Sequence, residues 1–290
     1  MEKDTKTETK KPAYWRKDVQ WIVGIMLSVM LGIFLLSIGM ARITEEENAV
    51  AITSTAIATL LSGDLDDPTD TNQFMALMRV TGSISPIPDL DVTITADEVE
   101  GKTPREIRIA LFEKIARPIY QDGEAGLVAL SKSPEAAIQL KGQLGALGIL
   151  TQKNHDFIST VQNALALIVG VLMVLLIIAS RRLGRIFAPG LIVALASAPG
   201  AALFSLLDRA ARANEAAVGH IATEGLWAGI QGILKEIGYL ATGPLAQIYQ
   251  TAFFVGLGLV GISIVGKLLL IFTQKIQSKR NTKKTPATEL

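Results

Sequence analysis

The residues that could bind a phosphate come together once in the chain. Gly101-Lys102-Thr103 has the composition that ends a phosphate-binding P-loop. That motif also requires a glycine five residues before Gly101, where this sequence has Ala96. Thr103 fits better as a helix cap, since the proline and glutamate of Thr103-Pro104-Arg105-Glu106 complete a capping box. The segment therefore predicts the start of a helix rather than a nucleotide site.

Clustered carboxylates suggest calcium, which takes about six to eight oxygen ligands. The cluster consists of Asp64, Asp66, Asp67 and Asp70. An EF-hand loop that starts at Asp64 would need glycine at its sixth position and glutamate at its twelfth, where the sequence has Thr69 and Met75. A solvated acidic turn is therefore the better interpretation.

His155 and His220 are the two histidines of the chain, and each has a carboxylate close by in sequence. Zinc needs three or four good ligands, so two histidines fall short of an ordinary site. The chain has no cysteine and no Gly-x-Ser-x-Gly motif, and nothing marks Ser131, Lys132 or Ser159 as a nucleophile and its base. The sequence therefore predicts no catalytic, cofactor-binding or metal-ligating residues, and no cofactor.

Long runs without charge determine the architecture. They cover residues 19–41, 157–180, 186–207 and 249–272, and only the last contains a charged residue, Lys267. A helix needs about 20 apolar residues to cross a bilayer core, so each run predicts a membrane span. The first run exceeds the length of a signal-peptide core and predicts an uncleaved anchor.

Charge asymmetry predicts the orientation of these spans. Residues 1–18, 181–185 and 267–290 carry fifteen basic and five acidic residues, whereas residues 42–156 and 208–248 carry thirteen basic and twenty-two acidic ones. Basic short segments stay in the cytoplasm. Both termini are therefore expected on the cytoplasmic side of the cell membrane.

The sequence thus predicts an all-α multi-pass membrane protein: a four-helix transmembrane bundle with a small, mainly helical extracytoplasmic domain. Its expected parts are a basic cytoplasmic tail (1–18), transmembrane helix 1 (19–41), an acidic extracytoplasmic domain (42–156), helix 2 (157–180), a cytoplasmic turn (181–185), helix 3 (186–207), an extracytoplasmic loop with an amphipathic helix (208–248), helix 4 (249–272) and a second basic tail (273–290).

Within the acidic domain, local patterns predict several elements. Helix 1 is expected to continue over residues 43–61, and a short helix to cover 72–80. Alternating apolar residues predict one strand over 90–95, without an identified partner. The helix that opens at Thr103 is expected to end or bend at Pro118, and another to run over 133–148. The loop helix, residues 226–240, is expected to pack on protein.

Small residues predict where the membrane helices touch. Gly190, Ala194, Ala198 and Ala202 recur at every fourth position of the third span, which lets another helix approach closely. Ile192 and Leu195 are expected to face lipid. The fourth span has a similar set of small residues: Ala252, Gly256, Gly258, Gly261 and Gly266. Pro199 is expected to kink the third span.

Composition narrows the function classes. A net charge of +1 gives no reason to expect nucleic acid as a partner, and the uncharged spans disfavour a proton-coupled pump. The expected function is a scaffold in a cell envelope that contacts the lipid bilayer and binds a membrane or envelope protein, or copies of itself. The alternatives are a channel for an uncharged or lipid-like solute, and an enzyme that acts on lipid-linked substrates through His155 and His220.

The predicted orientation can be tested by labelling. A cysteine introduced at Thr71 should react with a membrane-impermeant thiol reagent in intact cells, whereas one at Thr285 should not, because the positive-inside rule places the two residues on opposite sides. The natural chain lacks cysteine, so it serves as the control that the thiol reagent should not label. Labelling at Thr285 would contradict the charge argument.

Overall fold

The computed structural model describes residues 15–62, 75–76, 78, 80–85, 90–133, 135, 149–180, 184–217 and 226–282. The elements in these ranges are α1 (Trp15–Ile43), α2 (Glu46–Ser62), β1 (Ser83–Ile84), β2 (Ile94–Thr95), α3 (Ala96–Val99), α4 (Pro104–Asp122), α5 (Glu124–Leu130), α6 (Gln152–Ala179), α7 (Gly184–Ala217) and α8 (Leu226–Thr282). The fold is almost entirely helical, as the sequence predicts.

Four helices are long and apolar enough to cross a membrane. The candidate spans are Lys17–Ile43, Gln152–Ala179, Gly184–Ala210 and Leu240–Gln277, with mean hydropathies from 2.0 to 2.6. Each has at least 27 residues, or about 40 Å at the rise of an α-helix, which exceeds a hydrocarbon core of about 30 Å. Large apolar side chains such as Trp21, Leu167 and Phe254 are exposed along them. The four predicted spans are confirmed as helices that could contact lipid.

Two helix boundaries differ from the predicted ones. The first long helix does not continue over residues 43–61, because a turn at Thr44 and Glu45 separates α1 from α2. The expected loop helix over 226–240 is not a separate element, since α8 runs unbroken over 57 residues and includes it. Pro244 lies inside α8 without ending it. A proline removes only its own N–H from the helix ladder, and the long apolar sequence on its C-terminal side keeps the helix intact.

Internal contacts divide the chain into two compact units. The first contains Met1–Ile33, Leu165–Ala198 and Thr251–Leu290, and the second contains Phe34–Ala164 and Pro199–Gln250. The boundaries fall inside all four long helices, so each helix contributes one part to each unit.

In the first unit, α7 and α8 touch through bare backbone. A Cβ atom on Gly256 would lie 2.5 Å from the amide nitrogen of Ala194 and 2.8 Å from the carbonyl oxygen of Gly190. A Cβ atom on Gly190 would lie 2.7 Å from the Cβ of Leu259. Both glycines are buried, and no side chain fits between the helices at this point. The predicted close approach of another helix to the third span is therefore observed at Gly190 and Ala194, and that helix is α8.

The predicted stripe is only partly correct. Ala194 is 4% exposed, but Ala198 is half-buried and Ala202 is exposed, while Ser197 and Ala201 are buried instead. Each four-residue step turns about 40° past a full helical turn, so a strict fourfold spacing leaves the contact face after about two steps. The helix runs unbroken through Pro199.

Other small or lipid-facing residues also differ from expectation. A Cβ on Gly258 or Gly261 would have no neighbour within 4 Å, so of the expected set in the fourth span it is Gly256 that makes the close contact. Leu195 is 62% exposed, as a lipid-facing side chain should be. Ile192 is half-buried, because its Cδ1 lies 3.3 Å from where a Cβ of Gly24 would stand.

The second unit has a hydrophobic core built around α2 and α4. Its fully buried members include Ile57, Met78, Ile94, Leu111 and Ile115. Along α4, the residues Ile107, Leu111, Ile115 and Ile119 are buried at four-residue spacing, as the sequence predicts. Every residue from 52 to 59 of α2 is buried, so this helix lies inside the domain rather than on its surface.

The start of α4 follows the predicted capping box. The Thr103 hydroxyl accepts from the Glu106 amide at 3.3 Å, and Glu106 Oε2 accepts from the Thr103 amide at 2.8 Å. The end of α4 does not follow the prediction, because the helix continues through Pro118 to Asp122. It stops at Gly123, whose φ of 61° is readily adopted only by glycine. Gly126 of α5 packs directly on the carbonyl of Pro118.

The predicted strand over 90–95 is instead two short pieces. Ile94 and Thr95 pair antiparallel with Ile84 and Ser83, which are the partner that the sequence left unidentified. Leu90 forms a separate bridge with Ser131. The described residues from 75 to 81 are helical, consistent with the expected helix over 72–80. The expected helix over 133–148 lies almost entirely outside the described residues.

The contact between α7 and α8 yields a matched test. Gly256→Ala should lower the free energy of unfolding by about 1–3 kcal/mol, because the added methyl meets backbone that cannot move aside. Gly258→Ala, two residues away and facing open space, should leave stability unchanged or raise it. Thermal unfolding in detergent measures both variants. Equal melting temperatures would contradict the close contact.

Candidate functional site

An open cleft lies within the second unit, where α1 ends beside the interiors of α7 and α8. Its volume is about 860 Å³, in the range of small-molecule sites. Its walls come from the C-terminal end of α1 and the start of α2, from α7, and from α8 near the start of its apolar span. The lining residues are Arg42, Glu45, Asn48, Asp208, Leu240, Gly243, Pro244, Ala246, Gln247 and Gln250.

Charged and amide side chains dominate the lining. Arg42 supplies a guanidinium, Glu45 and Asp208 supply carboxylates, and three further residues supply carboxamides. Arg42 and Asp208 are also the first charged residues after the uncharged runs 19–41 and 186–207. Two of the charged residues that line the cleft therefore directly follow uncharged runs of the sequence.

Hydrogen bonds hold several of these side chains in place. Asn48 Nδ2 donates to the carbonyl oxygen of Arg42 at 2.8 Å, which occupies an acceptor left open by the end of α1. Gln250 Nε2 donates to Ser205 Oγ at 2.7 Å, and Ser205 Oγ in turn donates to the Ala201 carbonyl. The wall formed by α8 comes close to Asp208, whose Oδ1 would be 3.7 Å from a Cβ on Gly243.

His155 makes the second polar cluster of this unit. Its Nδ1 lies 3.2 Å from Oγ1 of Thr44, a residue that is completely buried. Thr44 Oγ1 also donates to the Met40 carbonyl at 2.9 Å. A hydroxyl has one proton, so with that proton on the Met40 carbonyl, Thr44 Oγ1 can only accept a hydrogen bond from His155 Nδ1–H.

The same imidazole approaches a serine. His155 Nε2 lies 3.5 Å from Ser159 Oγ, at the outer limit of a hydrogen bond. Ser159 sits in the second turn of α6, where the backbone amides are already bonded within the helix. They cannot form the pair of donors that stabilises an oxyanion. The geometry assigns His155 a structural contact between α6 and the turn after α1.

Two cations of the domain form ion pairs with nearby carboxylates. Arg117 binds Glu46 and Glu113, each at 2.7 Å, and the hydrogen bond that it donates to Glu113 is the main cause of its raised pKa. Lys114 binds Glu98 at 2.7 Å and also donates to the Thr93 carbonyl at 2.8 Å. The hydrogen bond from Lys114, followed by that from the Thr95 amide, lowers the pKa of Glu98.

Two further pKa shifts have local causes. The backbone amide of Thr103 is the main group that lowers the pKa of Glu106, as the capping box requires. Burial raises the pKa of Tyr120, and the nearby carboxylates of Glu46, Asp156 and Glu45 raise it further. An ionised phenol is disfavoured there, so Tyr120 acts as a neutral core residue.

Among the residues that the sequence singled out, the structure brings His155 and Ser159 together. Gly101 has a φ of 76° and precedes the capped helix. The phosphate-loop pattern stays incomplete, because residue 96 is alanine instead of glycine. Ser131 Oγ donates to the Leu127 carbonyl at 2.9 Å. Lys267 is exposed on α8. His220 and the cluster Asp64, Asp66, Asp67 and Asp70 lie outside the described residues. Among the described side chains, no group of three is arranged to hold a metal ion.

No model of a known protein family, no curated protein and no solved structure matches this chain. The site therefore has to be interpreted from its own chemistry.

Sequence reasoning missed the cleft, although part of the signal was present. Arg42 and Asp208 each mark the end of an uncharged run. Nothing in the sequence indicated that Glu45, Asn48 and Gln247 would join them. Their convergence depends on the turn that ends α1.

The contact between Thr44 and His155 can be tested by deleting the hydroxyl. Thr44→Val should lower the free energy of unfolding by about 1–2 kcal/mol, because the half-buried Nδ1–H then lacks its acceptor. Thr160 provides the control, since its hydroxyl also bonds a backbone carbonyl but the residue is exposed. Thr160→Val should change stability by less than about 0.5 kcal/mol. Similar melting temperatures for the two variants would show that the histidine contact has no structural role.

Proposed function

We propose that this protein is a partner-binding or assembly component of a cell envelope. In this proposal the four apolar helices anchor it in the membrane, both termini are cytoplasmic, and the acidic domain between α1 and α6 is extracytoplasmic. The charge asymmetry between the two sets of connecting segments supports this orientation.

The observation that carries the proposal is the distribution of charge on the domain. Residues 42–156 contain ten basic and eighteen acidic residues. Lys114 and Arg117 are engaged in ion pairs within the domain, and Arg108 is buried. The exposed carboxylates include Asp91, Asp97, Glu100 and Asp122. A net negative surface on a domain with its own core is suited to a protein partner with a basic surface.

The membrane-embedded part supports the same conclusion. The backbone contact at Gly190, Ala194 and Gly256 leaves no room for a solute between α7 and α8 at that level. A close, side-chain-free contact is typical of helices that hold a fixed relative position. This favours an anchor over the alternative of a channel that passes between these two helices.

The enzyme alternative rests on one observation, the approach of Ser159 to His155. An enzyme that uses this pair would lose activity in Ser159→Ala and His155→Gln variants that still fold. A binding protein would keep its function in cells when Ser159 is changed, since that hydroxyl contributes no contact to the acidic surface.

The proposal predicts that a partner binds through charge. Protein purified in mild detergent should retain a co-purifying protein at low salt, as seen by native mass spectrometry, and Asp97→Asn with Glu100→Gln should weaken it. Each exposed ion pair contributes about 0.5 kcal/mol, so the loss should be about twofold per charge removed.

Cations on the same domain provide the matched control. Lys102→Gln with Lys153→Gln makes the domain more acidic and should strengthen the same complex, since both side chains are exposed. If both double variants weakened the complex equally, or if neither changed it, the acidic surface would not be the docking site.

A further inference from the structure

The polar cleft between the end of α1 and the interiors of α7 and α8 has a chemistry that the proposed partner surface does not use. We propose that this cleft binds the head group of a phospholipid that carries a phosphate and a primary ammonium, as in phosphatidylethanolamine. The proposal is independent of the acidic docking surface, because none of the carboxylates proposed for docking lines the cleft.

The depth of the cleft points to a lipid. Arg42 follows 23 residues without charge and Asp208 follows 22, so both stand where apolar helix gives way to the membrane surface. Leu206 and Leu207 are exposed immediately before Asp208, and Leu36 is exposed on α1. Apolar surface for acyl chains and polar groups for a head group therefore follow one another along the same helices.

The anionic half of the head group has a natural partner in Arg42. A guanidinium presents several N–H donors in a plane that matches two phosphate oxygens. Arg42 is the only cation that lines the cleft within the described part of the chain. Its side chain is exposed rather than buried, so a phosphate can reach it.

The rest of the lining is rich in acceptors. Glu45 and Asp208 provide carboxylate oxygens. The amide nitrogens of Asn48 and Gln250 each use one N–H group on a protein acceptor, at 2.8 Å and 2.7 Å, and their carbonyl oxygens can accept from a ligand. One cationic side chain beside two carboxylates and three carboxamide oxygens matches a ligand with one anionic group and several N–H donors.

This balance distinguishes ethanolamine from choline. A primary ammonium donates three hydrogen bonds, whereas a trimethylammonium donates none and is usually recognised by aromatic faces. No phenylalanine, tyrosine or tryptophan is among the described residues that line the cleft. The cleft should therefore select phosphatidylethanolamine over phosphatidylcholine, although both lipids carry the same phosphate.

The test is a lipid titration of the full-length protein in detergent, read by native mass spectrometry, with the two lipids carrying identical acyl chains. The natural protein should bind phosphatidylethanolamine at least about tenfold more tightly, which corresponds to one charge-assisted hydrogen bond. Equal binding of the two lipids would overturn the proposal.

Variants separate the two halves of the head group. Arg42→Gln should weaken both lipids by a similar factor, about tenfold, because the phosphate is common to them. Asp208→Asn should weaken only phosphatidylethanolamine and so remove the preference. Glu45→Gln tests the same ammonium contact if Asp208→Asn does not fold. The Glu45 side chain is exposed, so this substitution does not disturb packing. A preference that survives both carboxylate changes would contradict the assignment.

Two further measurements complete the design. Asp122→Asn removes an exposed carboxylate away from the cleft and should change neither lipid's affinity. Soluble glycerophosphoethanolamine carries the same polar group without acyl chains, and it should bind much more weakly than the lipid. If it bound equally well, the ligand would be a soluble zwitterion and the lipid proposal would be wrong. Loss of the protein partner in the acidic-surface variants, with lipid binding intact, would keep the two proposals distinct.

Discussion

The turn at Thr44 and Glu45 determines where the polar groups of the second unit meet. Because α1 stops at Ile43, Asn48 can turn back to the Arg42 carbonyl, and Thr44 is placed beside His155 at the start of α6. The same turn sets the first residues of α2 against α4, where Glu46 binds Arg117. A continuous helix through residues 43–61 would have carried these side chains about 100° further around its axis at each residue and separated them.

The membrane-spanning elements could be predicted from the sequence because a bilayer imposes one strong constraint. Helices of soluble proteins rarely stay free of charge for more than 20 residues, and each of the four runs, the last of which has Lys267 as its one charged residue, coincides with one long helix. The start of α4 was equally predictable, since a capping box depends on four consecutive residues. In both cases the signal is local in the chain, and no distant contact had to be known.

The predictions that were wrong or incomplete depended on contacts that are not local in the chain. The continuation of α1, the end of α4 and the partner of Ile94 were each decided by residues far away in sequence or by the sum of many weak preferences. Pro118 is tolerated inside α4 because Ile115 and Ile119 on either side are buried in the core. The cleft was missed for the same reason, because Glu45 and Gln247 are about 200 positions apart and no periodicity relates them. The sequence suggested a joint role for His155 and His220 only because they are the two histidines of the chain.

The position of the charges also decides how each proposed interaction responds to salt. Ion pairs on the exposed acidic surface are in direct contact with bulk water. At physiological ionic strength, dissolved salt screens their electrostatic interaction over about 8 Å. In the proposed membrane orientation, Arg42 and Asp208 border the hydrocarbon layer, where part of the surroundings has a low dielectric constant and mobile ions are excluded. A head group bound there would keep more of its electrostatic energy than a basic protein on the domain surface. Under the two proposals, high salt should therefore release a protein partner before it releases the lipid, because the two proposed binding surfaces differ in their exposure to mobile ions.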